Sequence, residues 1–331
     1  MSWEIRRHRQ GIHLPQIDWW LDAHRPVQRA FVSHAHFDHF AEHKEMIATP
    51  ATIRLIRARM RGRRTEHRLA FGQAEQLAPG VAITLHPAGH MLGSAQCLLE
   101  HEQHGSLLYA GDFKLRPSLA AEPCAIPRAG VLIIETTFGK PRYVFPPSAE
   151  IIAGIIAFCR ETLASGVTPV LYGYTLGKSQ EILCSLAGSR LPVMLHPEIH
   201  RLARVYETLG VTFPPYARFD AAPGALAGHV VICPPQQENS TFLEKIPVRR
   251  TAMISGWAID PSRTGRARSD TAFPLSDHAD FNDLLRYVGL VSPRLVYTTH
   301  GFAIEFAKTL RDRGIEAWPL GHETQTDLPL G

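Results

Sequence analysis

The sequence predicts a layered α/β protein in which a second α/β unit interrupts a discontinuous outer domain. Three observations carry this. Short apolar runs alternate with helix-period segments along the whole chain. Residues 148 to about 268 keep a helix–strand rhythm of their own after Pro146-Pro147. The strand ends rich in histidine and aspartate lie mostly outside that stretch. At 331 residues the chain has room for about two domains and for a core that needs no disulfide.

The elements follow in order. Ala30–Ser33, Val81–Leu85, Leu107–Ala110 and Val131–Ile134 are apolar runs of strand length. A helix is expected over 149–164, where Ile151, Ile152, Ile155, Ile156 and Leu163 line one face and Ser165-Gly166 stops it. Pro169–Tyr172 is the next strand, and 178–187 the next helix. Val193–Leu195 precedes a helix over 198–209 that ends at Gly210. Val230–Cys233 and Thr251–Ser255 close the inserted unit. A helix over 280–288, the strand Arg294–Thr298 and a helix over 302–313, ending at Gly314, complete the outer domain. The expected boundaries are 1–147 and 269–331 for the two outer parts and 148–268 for the insert.

Composition narrows the function. Hydrophobic residues make up 45% and charged residues 20%, which excludes wholesale disorder. A formal charge of +4 neither requires nor forbids a nucleic-acid partner. The five cysteines are far apart and form no CxxC, which fits a reducing cytoplasm. The first ten residues lack the apolar run of a signal peptide, and no stretch approaches a membrane span. The 18 histidines are the unusual feature.

Ser33-His34-Ala35-His36-Phe37-Asp38-His39 directly follows a strand. Imidazole and carboxylate suit borderline metals such as Zn²⁺. Four such groups so close in sequence cannot all reach one ion. They can serve two, His34 and His36 on one side, Asp38 and His39 on the other. His90, Asp112 and His300 each end a predicted strand beside a glycine (Gly89, Gly111 and Gly301), where layered α/β proteins gather their sites.

This set resembles the metallo-β-lactamase fold, an αββα sandwich, with Asp22 similar to that fold's first structural aspartate. Glu135 in Glu135-Thr136-Thr137, His278 in Ser276-Asp277-His278-Ala279-Asp280, and His300 resemble motifs A, B and C of the β-CASP nucleases, whose α/β domain is inserted in the sandwich. The phrases Pro87–Gln96, Leu176–Gln180 and Leu275–Asp280 are similar to those of bacterial ligase-associated DNA exonucleases. The resemblance implies one metal on His34, His36 and His90, and a second on Asp38, His39 and His300, with Asp112 bridging. The ions would be Zn²⁺, with Mn²⁺ able to substitute. It also implies that His278 acts as general acid oriented by Glu135, with Asp38 among the catalytic residues. The expected activity is a DNA exonuclease of repair, acting on single-stranded DNA or a DNA end in association with a ligase and a helicase. A β-CASP ribonuclease is the alternative, because a histidine at motif C is associated with RNA-processing members.

Other signals are weaker. Gly173–Glu181 is one residue short of a Walker A loop, which argues against an ATPase, yet Gly177, Lys178 and Ser179 open a helix and are expected to meet substrate phosphate. The arginines at 54, 57, 59, 61, 63, 64 and 68 read as a solvated helix face and loop, and those at 263, 266 and 268 as a substrate-side cluster. His196 is a candidate at an insert strand end. Trp257 reads as core before it reads as a base-stacking ring. The remaining histidines, His43 among them, read as surface or structural.

Overall fold

The computed structural model describes residues 2–235, 240–260 and 269–321. The chain divides into two compact units, one of residues 1–117, 121–144 and 278–331, the other of 118–120 and 145–277.

The first unit is built on two sheets. In the seven-stranded sheet, Gly105–Tyr109 pairs in parallel with Val131–Glu135, which pairs in parallel with Leu295–Thr299. Successive side chains point to opposite faces of a strand. Leu107, Tyr109, Val131 and Ile133 therefore pack in one core with Trp19, Leu21, Phe31 and Ile47 of the six-stranded sheet. Leu108, Ala110, Leu132, Ile134 and Val296 pack in another, with Phe281, Leu284 and Tyr287 of helix Phe281–Val291 and Phe306 and Leu310 of helix Ala303–Arg311. Strands buried on both faces read as unbroken apolar runs, which is why sequence alone finds them. Helix Pro50–Arg59 buries Thr52, Ile53, Leu55 and Ile56 beside the six-stranded sheet. The fold is the αββα sandwich of the metallo-β-lactamases, with an α/β insert.

The second unit is a parallel six-stranded sheet. Its spatial order is Ala217–Arg218, Val193–Leu195, Val230–Cys233, Thr168–Tyr172, Arg249–Ile254 and Thr271–Phe273. Leu171, Leu195, Ile232 and Ala252 pack on one face with Ile151, Ile155 and Cys159 of helix Ser148–Ala164 and Ile182 and Leu183 of helix Lys178–Ser185. Val170, Tyr172, Met194 and Val231 pack on the other.

Every expected strand and helix has a counterpart within about three residues at each end. The return to the outer unit falls at 277/278 rather than 268/269, because Thr271–Phe273 pairs with Ala252–Ile254 and so belongs to the insert sheet. The sequence reading also lacks Arg6–His8, Gly11–Leu14, Trp19–Leu21, Glu45–Ala48, Thr65–Arg68, Ala74–Ala78 and Ala95–His101. All five cysteines are free, and three of them are fully buried. Among the described residues no helix is long and apolar enough to cross a membrane.

Candidate metal centre

The strand Arg29–Phe31 delivers Ser33 to His39 to one end of the first unit, and the loops after Val81–Pro87, Gly105–Tyr109 and Leu295–Thr299 bring His90, Asp112 and His300. The turns that do this are sterically demanding. A side chain at Gly89 (φ +78°) would come within 2.3 Å of the Lys114 carbonyl oxygen. At Gly301 (φ +53°) it would come within 2.4 Å of the Thr136 carbonyl oxygen. Two non-glycine residues also hold positive φ here, Asp22 (46°) and His300 (57°). Such backbone costs energy that the surrounding contacts must hold in place. Thr136 Oγ1 donates to the His300 carbonyl at 2.6 Å, and three groups hold Asp22 from around it.

Those three are Ser33, Tyr109 and His39, which make four hydrogen bonds to its carboxylate. Asp22 Oδ1 accepts from the Ser33 amide at 2.7 Å, and Oδ2 accepts from the Ser33 hydroxyl, from Tyr109 OH at 2.9 Å and from His39 Nδ1 at 2.8 Å. A carboxylate only accepts, so His39 keeps a proton on Nδ1 and turns Nε2, the atom a metal would take, outward. Because the Ser33 hydroxyl gives its proton to Asp22, its oxygen accepts from His34 Nδ1 at 2.9 Å, and His34 Nε2 is left bare. Both Nε2 atoms face Asp112 Oδ2, at 3.3 Å from His39 and 3.7 Å from His34. His36 Nδ1 lies 3.0 Å from His34 Nε2 and 3.2 Å from His90 Nε2. Ring nitrogens that converge this closely suit a cation. The donor chemistry therefore fits a bound divalent metal, most simply zinc.

The sites are unequal in tightness. Three sets bring one ligand atom apiece within 4.8 Å of one another: His34, His36 and His90; Asp22, His34 and His39; and His90, Asp112 and His278. Among the described residues no such set includes Asp38 or His300. Asp38 is 81% exposed with its Oδ2 3.8 Å from His39 Nε2, and the His300 ring centre is 6.0 Å from that of His39.

Electrostatics follow from this crowding. Burial, then the charges of His39, His36 and His90, push His34 well below the usual imidazole range. Burial acts the same way on His39, but Asp112 and then Asp22 override it and raise His39 well above that range, so its Nε2 holds a second proton toward Asp112 that a bound cation would displace. Burial would raise Asp112; His39, with smaller help from His278 and His34, holds its carboxyl well below the carboxylate range instead.

His278 sits beside this cluster, its ring centre 4.7 Å from that of His90. Its Nδ1 donates to Glu135 Oε1 at 2.9 Å, and Glu135 Oε2 accepts from the Thr137 amide at 2.7 Å. Glu135 thus keeps a proton on Nδ1 of His278 and sets the orientation of its ring. The Ala279 amide donates to the Phe113 carbonyl at 2.9 Å, and Asp280 pairs with Arg116 at 2.5 Å, which fixes the backbone on that side.

Two expectations change. Gly177, Lys178 and Ser179 are buried, and their polar groups are committed within the second unit. The Gly177 amide donates to Gln180 Oε1 at 2.7 Å, Ser179 Oγ to the Tyr174 carbonyl at 2.8 Å, and Lys178 Nζ to Glu181 at 3.0 Å and the Leu275 carbonyl at 2.9 Å, with Asp277 at 3.4 Å. An ammonium so enclosed does not present itself to phosphate, and the contact expected of these three residues is withdrawn. His196 caps helix Pro197–Thr208, accepting from the Glu198 amide at 3.2 Å. In the first arginine group, Arg57, Arg64 and Arg68 gather on Glu66, yet Arg54, Arg57, Arg61, Arg63 and Arg68 are all exposed, as a solvated face requires. Arg263, Arg266 and Arg268 lie outside the described residues.

Ser33, Tyr109 and Thr136 are the supporting residues that sequence reasoning missed. The available signal was a hydroxyl at a strand end within one to three residues of a ligand or of Glu135.

Comparison with known proteins agrees with this geometry. Residues 271–318 match the family described as Zn-dependent metallo-hydrolase RNA specificity domain. Over its whole length the chain is 58% identical to a protein of Opitutus terrae named "Probable DNA ligase", of which it spans 32%. Over 35% of its length it is 35% identical to the "Transcription termination factor FttA" of Methanocaldococcus jannaschii, of which the match spans 19%. A solved structure, a protein of unknown function from Enterococcus faecalis, shares the fold at a TM-score of 0.59 and 12% identity, over 89% of this chain and 79% of that one. With the ligand cluster, the Glu135–His278 pair and the α/β insert in one chain, these matches show that it belongs to the β-CASP family of the metallo-β-lactamase fold, a family of metal-dependent hydrolases.

Proposed function

We propose that the chain is a two-metal phosphodiesterase that cleaves nucleic acid, and that its substrate is DNA, attacked from an end during repair. The observation that carries DNA is the relative from Opitutus terrae. Its 58% identity spans this entire chain but only 32% of that relative, so in a protein named for DNA joining the counterpart of this chain is one part. Functional association with a ligase, and with a helicase by resemblance, belongs to the same proposal, as does action in the cytoplasm.

Bound divalent ions, Zn²⁺ or in its place Mn²⁺, would supply Lewis acidity and a water acidic enough to attack phosphorus. His34, His36 and His90 would hold one, Asp38, His39 and His300 the other, and Asp112 would face both. The chain's own residues do the rest. Asp22 keeps a proton on His39 Nδ1, and Ser33 does the same for His34, so Nε2 of each is the atom a metal would take. Glu135 holds Nδ1 of His278, so Nε2 can give a proton to the departing alkoxide. Phe138, whose ring centre is 6.2 Å from that of His278, limits the ring's freedom.

RNA is the second reading, favoured by the RNA-specificity description of the family matching residues 271–318 and by the termination-factor relatives. Matched DNA and RNA oligonucleotides with 5′-phosphate, 5′-hydroxyl and blocked ends separate the two. Cleavage of DNA that stops when the end is blocked supports the proposal. Cleavage of RNA alone overturns it in favour of the second reading.

A further inference from the structure

Phe37 stands between His36 and Asp38 in the ligand loop and is 57% exposed. Its ring is nevertheless held. The Arg59 guanidinium lies 3.8 Å from the ring centre, and Arg59 Nη1 is itself tied to the Ala35 carbonyl of the same loop. The buried ring of Phe40 stacks on it at 5.4 Å and 30°. Arg59 and Phe40 thus fix the ring's orientation while over half of the residue's surface stays open, beside the 81%-exposed side chain of Asp38.

We propose that Phe37, backed by Arg59, is a stacking platform for the nucleobase adjoining the scissile phosphodiester. The inference rests on the nucleic-acid-cleaving function proposed above. Consecutive Cα atoms are about 3.8 Å apart, so Phe37 cannot be far from a phosphate held at its neighbours. Such a phosphate carries a nucleoside on each side, and a base offers a flat π face whatever its identity. A single ring flanked by a guanidinium and two ligand residues is too small and too polar in its setting for a protein interface. It matches a base with an attached phosphate, the ring taking the base and Arg59 adding positive charge beside the backbone.

The test uses the metal-loaded protein and single-stranded oligonucleotides of the cleaved type, with one abasic residue walked across the positions flanking the cut. In the wild type, loss of one particular base should raise KM by about tenfold, within a range of about 5- to 140-fold. Phe37→Ala should raise KM on intact substrate by a similar factor and should be indifferent to that abasic position. Phe37→Trp should behave as the wild type. Independent, multiplying penalties overturn the platform, as does wild-type KM for Phe37→Ala or Phe37→Leu, since leucine keeps the packing without the π face. Should Phe37→Ala lose metal, the Phe37→Trp and Phe37→Leu pair decides alone. A loaded wild type that cleaves neither DNA nor RNA removes the function and the platform with it. Normal cleavage that ignores Phe37 removes the platform only.

Discussion

At the scale of single residues, His278 and Glu135 are expected to act as a unit distinct from the metal ligands. His278→Ala should keep its metals and fold but lose activity by about 10²–10⁴-fold, the usual worth of positioned acid catalysis. Glu135→Gln should do less harm, since it orients the ring at 2.9 Å and transfers no proton. The double variant should match His278→Ala, and a substrate with an activated leaving group should restore part of the loss. Metal content and single-turnover rates check this; loss of a metal from His278→Ala would instead place the residue with His90 and Asp112 as a ligand. Lys178 gives the opposite case. Burial would lower its ammonium, but Asp277 and Glu181 raise it above the usual lysine range, and it is 1% exposed. Lys178→Met should strand two carboxylates and cost about 3–5 kcal/mol in urea unfolding, with the salt dependence of substrate binding unchanged. The clustering of His34, His36, His39, His90 and Asp112 was legible because imidazole and carboxylate at strand ends have few other reasons to gather. Lys178 was misread because sequence shows a cation at a helix start but not the acids at positions 181 and 277 that enclose it.

Among the elements, helix Phe281–Val291 shows how the scaffold serves the site. Asp280 caps it, Oδ1 accepting from the Asp283 amide at 2.9 Å, while Oδ2 pairs with Arg116 at 2.5 Å; Asp280 is fully buried and Arg116 28% exposed. Arg116→Met should cost about 2–4 kcal/mol, at the lower end because the guanidinium is partly solvated. Asp280→Asn, which retains a capping oxygen, should cost less than Asp280→Ala. Urea titrations give both comparisons. The same helix was legible in sequence, since its apolar face repeats over three turns. Most of the strands that were not legible are short or polar. Arg6–His8 and Thr65–Arg68 lie at the two edges of their sheet and are mostly exposed. Edge strands carry charge that discourages further pairing, and that charge erases the alternation by which a strand is found. Ala74–Ala78, at an edge of the other sheet, is hidden in the same way.

At the scale of the whole molecule, acid and chelation should report on different things. His43 is 1% exposed, and burial lowers its imidazole to about 4. Between about 4 and 6.5 the unfolded chain binds a proton that the folded chain refuses, so stability must fall as pH drops through that window. His43→Gln, if it folds, should flatten part of that slope in thermal unfolding measured from pH 7 to 4. Metal acts by mass action instead. A ligand present at about a thousand times its Kd stabilises the folded form by about 4 kcal/mol, which for a unit of this size is about 10 °C in unfolding midpoint. The candidate ligands all belong to the first unit, and the second has its own sheet and its own two cores. Chelation should therefore speed hydrogen exchange in Leu107–Tyr109 and Ile133–Glu135, while Val230–Cys233 keeps its protection. Should Val230–Cys233 lose protection to the same extent, the two units unfold as one, and stability supplied at the metal site must then be shared by the whole chain.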